Sequence, residues 1–217
     1  MSYTEVNNCI FCNGSKLTKI LDKDLYTPMG CYTVDDNTKS HSMPFNILLC
    51  EGCLTCQTAY RGDLDIIYNY NSGFFGSIRT DMNILFADFI SNNKNIKDIV
   101  EIGAGHGILS DIIIQKNKLN YTIFDPTYSG TIENKTIIKE FINDGTQITG
   151  DALIMSHVFE HFYKPLDILE KIFKSSIKYI YLNQSRPRIL HKKQLLSYFK
   201  YRTYILHRNR ILTETIQ

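Results

Sequence analysis

No apolar run in the 217-residue sequence approaches the roughly 20 residues needed to cross a membrane. Nor do residues Met1 to Gly14 show a basic start followed by an apolar stretch, so no secretory signal is visible and the expectation is a cytoplasmic protein without a membrane partner. Internal repeats are absent, as are low-complexity tracts beyond a general Asn/Ile/Lys bias. With 43% hydrophobic and 21% charged residues the chain can bury a substantial core, which excludes collagen, a disordered tail and a miniature disulfide scaffold. Cysteine is missing from every position after Cys56. That confinement of all six cysteines to the N-terminus marks a separate small module.

Net charge is only +2, but it is unevenly spread. Eight of the 24 basic residues (Arg186, Arg188, Lys192, Lys193, Lys200, Arg202, Arg208, Arg210) lie in the tail from Arg186 onward, against one of the 22 acids, Glu214. The tail should therefore prefer an anionic partner.

Cys9-Ile-Phe-Cys12 and Cys50-Glu-Gly-Cys53 are both C-x2-C pairs, a spacing that lets two thiolates from one tight turn fill two corners of a zinc tetrahedron. Gly14 and Gly52 fall where such turns need backbone freedom. Cys53-Leu-Thr-Cys56 is a competing pair, and Cys31 and His41 are further candidate ligands between the two. A four-cysteine site is closed to water and substrate, so the zinc is expected to hold the fold rather than to react.

Residues 61–80 read as a connecting segment rich in Tyr, Asp, Asn and Gly, and Asp81 to Ile90 carries apolar residues at helical spacing. From Ile99 onward short apolar runs alternate with amphipathic stretches. Strands are expected at Ile99–Ile102, Tyr121–Phe124, Thr136–Ile138, Ala152–Met155 and Tyr179–Leu182, with helices near Ile108–Gln115 and Leu166–Lys174. Such alternation implies an α/β protein with a parallel sheet wrapped by helices. A final strand pair, Tyr201–His207 and Arg210–Ile216, would bring the sheet to seven strands.

The first of these strands runs through Glu101 into Gly103, Gly105 and Gly107 and then into a helix. A bend without side chains lets a nucleotide or nucleoside approach the backbone. The next apolar run ends at Asp125-Pro126, where a carboxylate can accept both hydroxyls of a ribose. The G-x-G-x-G spacing departs from the dinucleotide pattern G-x-G-x-x-G.

Through Glu101-Ile-Gly-Ala-Gly-His-Gly107, Phe124-Asp125-Pro126 and the run from Asp151 to His161, the sequence resembles class I S-adenosylmethionine-dependent methyltransferases. More narrowly it is similar to the sugar methyltransferases of deoxysugar and surface-polysaccharide pathways, through the two cysteine pairs, Cys53-Leu-Thr-Cys-Gln57 and the segment Tyr68 to Gly73. The resemblance implies a zinc-binding module over residues 1–60, the connecting segment, and a Rossmann-like methyltransferase domain with a seven-stranded sheet over 81–217. It implies S-adenosyl-L-methionine as cofactor beside structural zinc held by Cys9, Cys12, Cys50 and Cys53. Gly103, Ala104 and Gly105 would flank its methionyl and ribose portions, Asp125 would take the ribose, and Phe141 would wall the adenine. The backbone of Ser156, His157 and Val158 would lie near the methionine end, with Tyr70 and Ser72 folding over the cofactor.

Methyl transfer from a sulfonium needs alignment of the acceptor and, for a hydroxyl or carbon acid, removal of a proton. His161 is the preferred general base, because histidine titrates near neutrality and the motif sets it at the carboxyl end of the sheet. His157, Glu160 and Tyr70 complete the catalytic candidates. The spacing predicts that His157 and His161 share one face of a helical turn, while H-V-F-E-H lacks the H-E-x-x-H order of zinc proteases. Relatives that methylate sugar carbon carry a Tyr-x-Glu-His-type group after the fifth strand. Here Arg186 to Phe199 supplies no carboxylate, so oxygen methylation of a sugar, sugar phosphate or nucleotide-linked sugar is favoured, with Arg186, Arg188, His191, Lys192 or Lys193 on a phosphate. Two alternatives stay open: an RNA or DNA methyltransferase using the basic tail, and a non-catalytic scaffold that keeps zinc and cofactor.

Overall fold

The structure, a computed structural model, describes residues 3–21, 26–28, 42–68, 77–186, 200–207 and 210–214. Contacts divide the chain into two compact units, Met1–Ser72 with Tyr163–Ile168, and Gly73–Phe162 with Leu169–Gln217.

The first unit is built from short antiparallel strands. In chain order these are β1 (Tyr3–Glu5), β2 (Leu17–Leu21), β3 (Tyr26–Pro28), β4 (Ser42–Pro44), β5 (Ile47–Cys50), β6 (Cys56–Thr58) and β7 (Tyr60–Gly62), followed by the one-turn helix α1 (Leu64–Ile67). β5 sits between β2 and β6, β1 pairs with β7, and β3 with β4. Along β5 every second residue, Leu48 and Cys50, is buried, the alternation of a sheet with one covered face. Asp63 caps α1 by accepting a hydrogen bond from the Asp65 N–H at 3.0 Å. The Tyr163 hydroxyl donates to the Gly62 carbonyl at 2.6 Å, and the Arg61 guanidinium lies 5.4 Å from the centre of the same ring.

The second unit contains α2 (Ser77–Ser91), β8 (Asp98–Ile102), α3 (Ile108–Lys116), β9 (Asn120–Phe124), β10 (Thr136–Ile138) and β11 (Ala152–Ser156). After a 3-10 turn at Phe159–His161 come α4 (Pro165–Lys174), β12 (Tyr179–Arg186), β13 (Lys200–His207) and β14 (Arg210–Glu214). One sheet runs β10-β9-β8-β11-β12-β13-β14. Its first five strands are parallel; β13 and β14 return as an antiparallel hairpin, so the parallel part numbers five of the seven. Continuous burial along β11 and most of β8 reflects helical cover. Ile99, Ile123, Ala152, Ile154 and Tyr181 pack with Phe86, Ala87 and Ile90 of α2 and Leu109 and Ile113 of α3. Each fully buried aliphatic side chain here contributes about 1.5–3 kcal/mol.

Chain order reverses at β8, which pairs with β9 on one side and β11 on the other. In open parallel sheets the carboxyl ends flanking such a reversal are where ligands bind. No helix among the described residues is long and apolar enough to cross a membrane.

Candidate functional site

The two C-x2-C turns of the first unit are built alike. In one, the Asn13 N–H donates to the Cys9 carbonyl and the Cys9 N–H to the Gly14 carbonyl; in the other, Leu54 donates to Cys50 and Cys50 to Thr55, all at 2.9 Å. The residue after each pair takes a left-handed conformation, Asn13 at φ +59° and Leu54 at +61°. Backbone freedom is thus needed at Asn13 and Leu54 rather than at Gly14 and Gly52, whose neighbours are cysteine sulfurs: an added Cβ at Gly14 would stand 3.3 Å from Cys12 Sγ. Cys9, Cys12, Cys50 and Cys53 bring four sulfurs within 4.8 Å of one another. Cys9 to Cys53 and Cys12 to Cys50 are each 3.5 Å apart. A zinc ion at about 2.3 Å from four thiolates requires edges of about 3.8 Å, whereas a disulfide requires about 2.05 Å. The donor set therefore fits zinc. The Phe11 and Cys12 N–H groups point at Cys9 Sγ at 3.4 and 3.5 Å, placing positive dipoles against a thiolate. Cys56, exposed on β6, is outside the cluster; Cys31 and His41 lie outside the described residues.

In the second unit the carboxyl end of β8 turns through Gly103, Gly105 and Gly107, at φ +72°, +60° and +71°. Only glycine adopts this region without strain. At two of these positions the free space is taken by protein: an added Cβ would meet Val158 Cγ2 at 2.4 Å from Gly103 and the Tyr128 hydroxyl at 2.5 Å from Gly107. Gly105 instead donates its N–H to Asp125 Oδ2 at 2.6 Å. Asp125, 5% exposed at the end of β9, accepts at Oδ1 from the Thr127 N–H at 2.8 Å and hydroxyl at 3.2 Å. Three of its roughly four acceptor sites are thus in use. One ribose hydroxyl can be accepted with the loop as it stands; a second requires one of these bonds, the long Thr127 hydroxyl bond foremost, to yield. Ala104 packs against the core, and half-buried Pro126 sets the direction of the chain beyond Asp125.

Glu101 does not face this surface. It is 2% exposed and accepts from the Tyr121 hydroxyl at 2.8 Å. Desolvation, opposed by that hydrogen bond and reinforced by the Asp125 charge, pushes its carboxyl up to about 7. A second buried network flanks it: Lys135, whose side chain is 1% exposed, binds Asp111 of α3 and the Thr131 hydroxyl, and Tyr128 donates to the Thr131 carbonyl. Ser129 adds bonds to the Gly105 carbonyl at 3.2 Å and to His106 Nδ1 at 2.7 Å. The β9–β10 loop is therefore docked on the glycine loop and the start of α3. No motif marks Lys135, Tyr128 or Ser129 in the sequence.

At the end of β11, Ser156 Oγ is reached by Asn183 Nδ2 at 3.4 Å, and the His157 N–H donates to the Asn183 carbonyl at 2.7 Å. His157 stands at φ +56°, an outlying conformation for a side chain of this size. It precedes the 3-10 turn instead of belonging to it, so the predicted shared helical face with His161 does not form. Burial, then the positive charges of Arg79 and His161, pushes the His157 imidazole down to about 4. A neutral ring results near pH 7, and its 3.8 Å separation from Glu160 Oε1 is neither an ion pair nor a hydrogen bond. Glu160 and His161 are exposed on the turn, with the His161 N–H tied to the Val158 carbonyl at 2.9 Å. Phe141 is half-buried in the loop beyond β10. Tyr70, Ser72, Arg188, His191, Lys192 and Lys193 lie outside the described residues, and Arg186 is described in its backbone alone.

No protein family matches the chain, and no curated protein matches it. Among solved structures it is similar to the plantazolicin methyltransferase BpumL in complex with a monoazolic desmethylPZN analog and SAH, at 15% identity and a TM-score of 0.39, over 50% of this chain and 47% of that one. It is similar also to coclaurine N-methyltransferase bound to N-methylheliamine and SAH, at 16% identity and 0.41, over 52% and 38%. A third is the 23S rRNA methyltransferase ErmE, at 9% and 0.36, over 52% and 48%. This chain spans about half the length of the first structure it matches. The second unit is an α/β fold on a parallel sheet of five strands, in one chain with a four-cysteine cluster. What it binds must be argued from its own residues.

Proposed function

We propose that the chain is an S-adenosylmethionine-dependent methyltransferase. The observation that carries the reading is the 2.6 Å hydrogen bond joining the glycine loop of β8 to Asp125 of β9 beside the reversal of strand order. A loop of bare backbone facing a carboxylate on the adjacent strand is what a ribose with an adjoining charged chain requires. S-adenosylmethionine supplies a methyl group already activated on a sulfonium. The protein has to hold it by Asp125 and the Gly103–Gly105 backbone, align an acceptor, and take up one proton. His157, held neutral with a weakly basic ring, suits hydrogen bonding more than proton capture. His161, exposed at the end of the turn, is the base in this reading, with Glu160 beside it.

The acceptor in this reading is a sugar, sugar phosphate or nucleotide-linked sugar methylated on oxygen. That finer assignment rests on the resemblance carried by the cysteine pairs and on the absence of a carboxylate between Arg186 and Phe199. A cytoplasmic location agrees with it, since four free thiolates persist in a reducing compartment. Calorimetric titration with S-adenosylhomocysteine tests the core of the reading. The wild-type chain binds, and Asp125→Ala and Asp125→Asn lose affinity at least tenfold, roughly the worth of a charge-assisted hydrogen bond. Wild-type affinity in both variants, with an unchanged melting curve, removes Asp125 and the site with it.

A further inference from the structure

Every charged residue of α2 but one faces outward. Asp81 and Asp88 are exposed, whereas Arg79 shares the inward stripe with Met82, Asn83, Phe86, Ala87 and Ile90, at spacings of three, four, seven, eight and eleven. Arg79 is half-buried, and no hydrogen bond or ion pair to its guanidinium is formed among the described residues. A cation drawn part-way out of water without a counter-charge loses solvation and regains nothing.

The helix axis fixes where this charge stands. The C-terminal ends of α2 and α3 are pinned side by side: Asn117 Nδ2 donates to Ser91 Oγ at 2.7 Å and Lys116 pairs with Asp88. Farther along, Asn93 Nδ2 donates to the Tyr181 hydroxyl at 3.3 Å. α3 begins at the glycine loop, so both helices start at the carboxyl end of the sheet. Twelve residues separate Ser91 from Arg79, about 18 Å of helix, and ten separate Asn117 from Gly107, about 15 Å. Arg79 is therefore level with the glycine loop. Its charge is also felt by His157 at the end of β11.

We propose that Arg79 is a ligand-binding residue that grips an anionic oxygen group, a carboxylate or phosphate, presented at the carboxyl end of β11. The inference rests on the methyltransferase reading and deepens it. Two sources offer this chemistry: the amino-acid carboxylate of the cofactor, and a phosphate on the acceptor. Guanidinium suits either by its planar, two-pronged geometry.

The test titrates the full-length wild type, Arg79→Ala and Arg79→Lys with three probes: S-adenosylhomocysteine, its decarboxylated analogue, and inorganic phosphate in the presence of S-adenosylhomocysteine. Circular dichroism checks folding. If the cofactor carboxylate is the partner, Arg79→Ala weakens S-adenosylhomocysteine by about tenfold or more, leaves the decarboxylated analogue unchanged, and Arg79→Lys falls between. If an acceptor phosphate is the partner, S-adenosylhomocysteine binds as in wild type while phosphate binding is lost. A folded Arg79→Ala chain that keeps wild-type affinity for all three probes overturns the assignment of Arg79 and leaves the methyltransferase reading standing. A wild-type chain that fails to bind S-adenosylhomocysteine overturns that reading and takes this one with it.

Discussion

Adding one methyl group at Gly103 separates two explanations of the glycine loop. In Gly103→Ala the new Cβ would stand 2.4 Å from Val158 Cγ2, 3.2 Å from Cγ1 and 3.4 Å from Cβ, at a backbone φ of +72°. The left-handed conformation costs a non-glycine residue about 1–2 kcal/mol, and the overlap, which must displace a branched side chain, costs about 1–3 kcal/mol more. The expected loss is thus about 2–5 kcal/mol. Val158→Ala removes both γ-carbons and leaves only the 3.4 Å contact, so the double variant recovers the overlap but not the strain. A coupling of about 1–3 kcal/mol should appear in the double-mutant cycle. Because the sequence has no tryptophan, urea unfolding is followed by far-UV circular dichroism. The double variant should also bind S-adenosylhomocysteine nearly as wild type does, since its methyl group occupies space that was Val158's. Strictly additive costs, or a Gly103→Ala chain as stable as wild type, would refute the packing argument; loss of binding in a refolded double variant would return Gly103 to the cofactor.

The cysteine cluster predicts one zinc per chain by metal analysis, abolished in Cys12→Ser or Cys50→Ser and retained in Cys56→Ser; a metal-free chain with an unchanged melting curve would oppose it. Glu101 and His157 predict opposed pH responses. The Glu101 carboxyl lies at about 7 in the folded chain against 4.5 ordinarily, so the folded state holds the extra proton. Its stabilisation is full below pH 4.5 and fades toward pH 7, by on the order of 3 kcal/mol. His157, lowered from 6.5 to about 4, works the other way: its contribution is present above pH 6.5 and lost as pH falls to 4. Between about pH 4.5 and 6.5 the two slopes offset each other, and Glu101→Gln should leave a chain that loses stability steadily on acidification through that interval. Parallel stability curves for the variant and wild type would refute the buried carboxyl as the source.

Strands β8, β9, β10, β11 and β12 fall within one residue of their predicted starts because each is a short apolar run, largely buried in β8, β9, β11 and β12 and partly buried in the edge strand β10, a pattern that depends on local sequence alone. The hairpin β13–β14 was legible from two β-rich runs around Arg208-Asn209. Among the described residues, the seven strands of three to five residues in the first unit were not, since strands this short show little alternation and pair across separations such as Tyr3 to Gly62. Similarly, the C-x2-C spacing pointed to the four cysteines whose sulfurs cluster, but which residue takes the left-handed conformation depends on the turn that closes around them. His157 illustrates the same limit: four-residue spacing predicts a shared face only inside a helix, and its positive φ puts it outside one. Glu101 and Tyr121 sit on one face of neighbouring strands only because Glu101 pairs with Ile123, a register that no single segment encodes.

These differences bear on which residues can do chemistry. A four-thiolate centre would leave no open coordination position, so a zinc held by these cysteines would take no part in a reaction. Of the acids the sequence set beside the glycine loop, Glu101 is sealed under Tyr121 and Asp125 is engaged by the loop itself, which leaves neither as a proton acceptor for a bound alcohol. His157 is too weak a base at neutral pH. In the proposed methyltransferase reading, proton uptake at this end of the sheet is left to one group of the exposed pair Glu160 and His161, with His161 the proposed base. A methyl transfer asks for no more than that one group once donor and acceptor are aligned. The same economy explains why the elaborate bonding here, from Lys135 through Tyr128 and Ser129 to Gly105 and Asp125, fixes the position of a loop rather than the reactivity of a side chain.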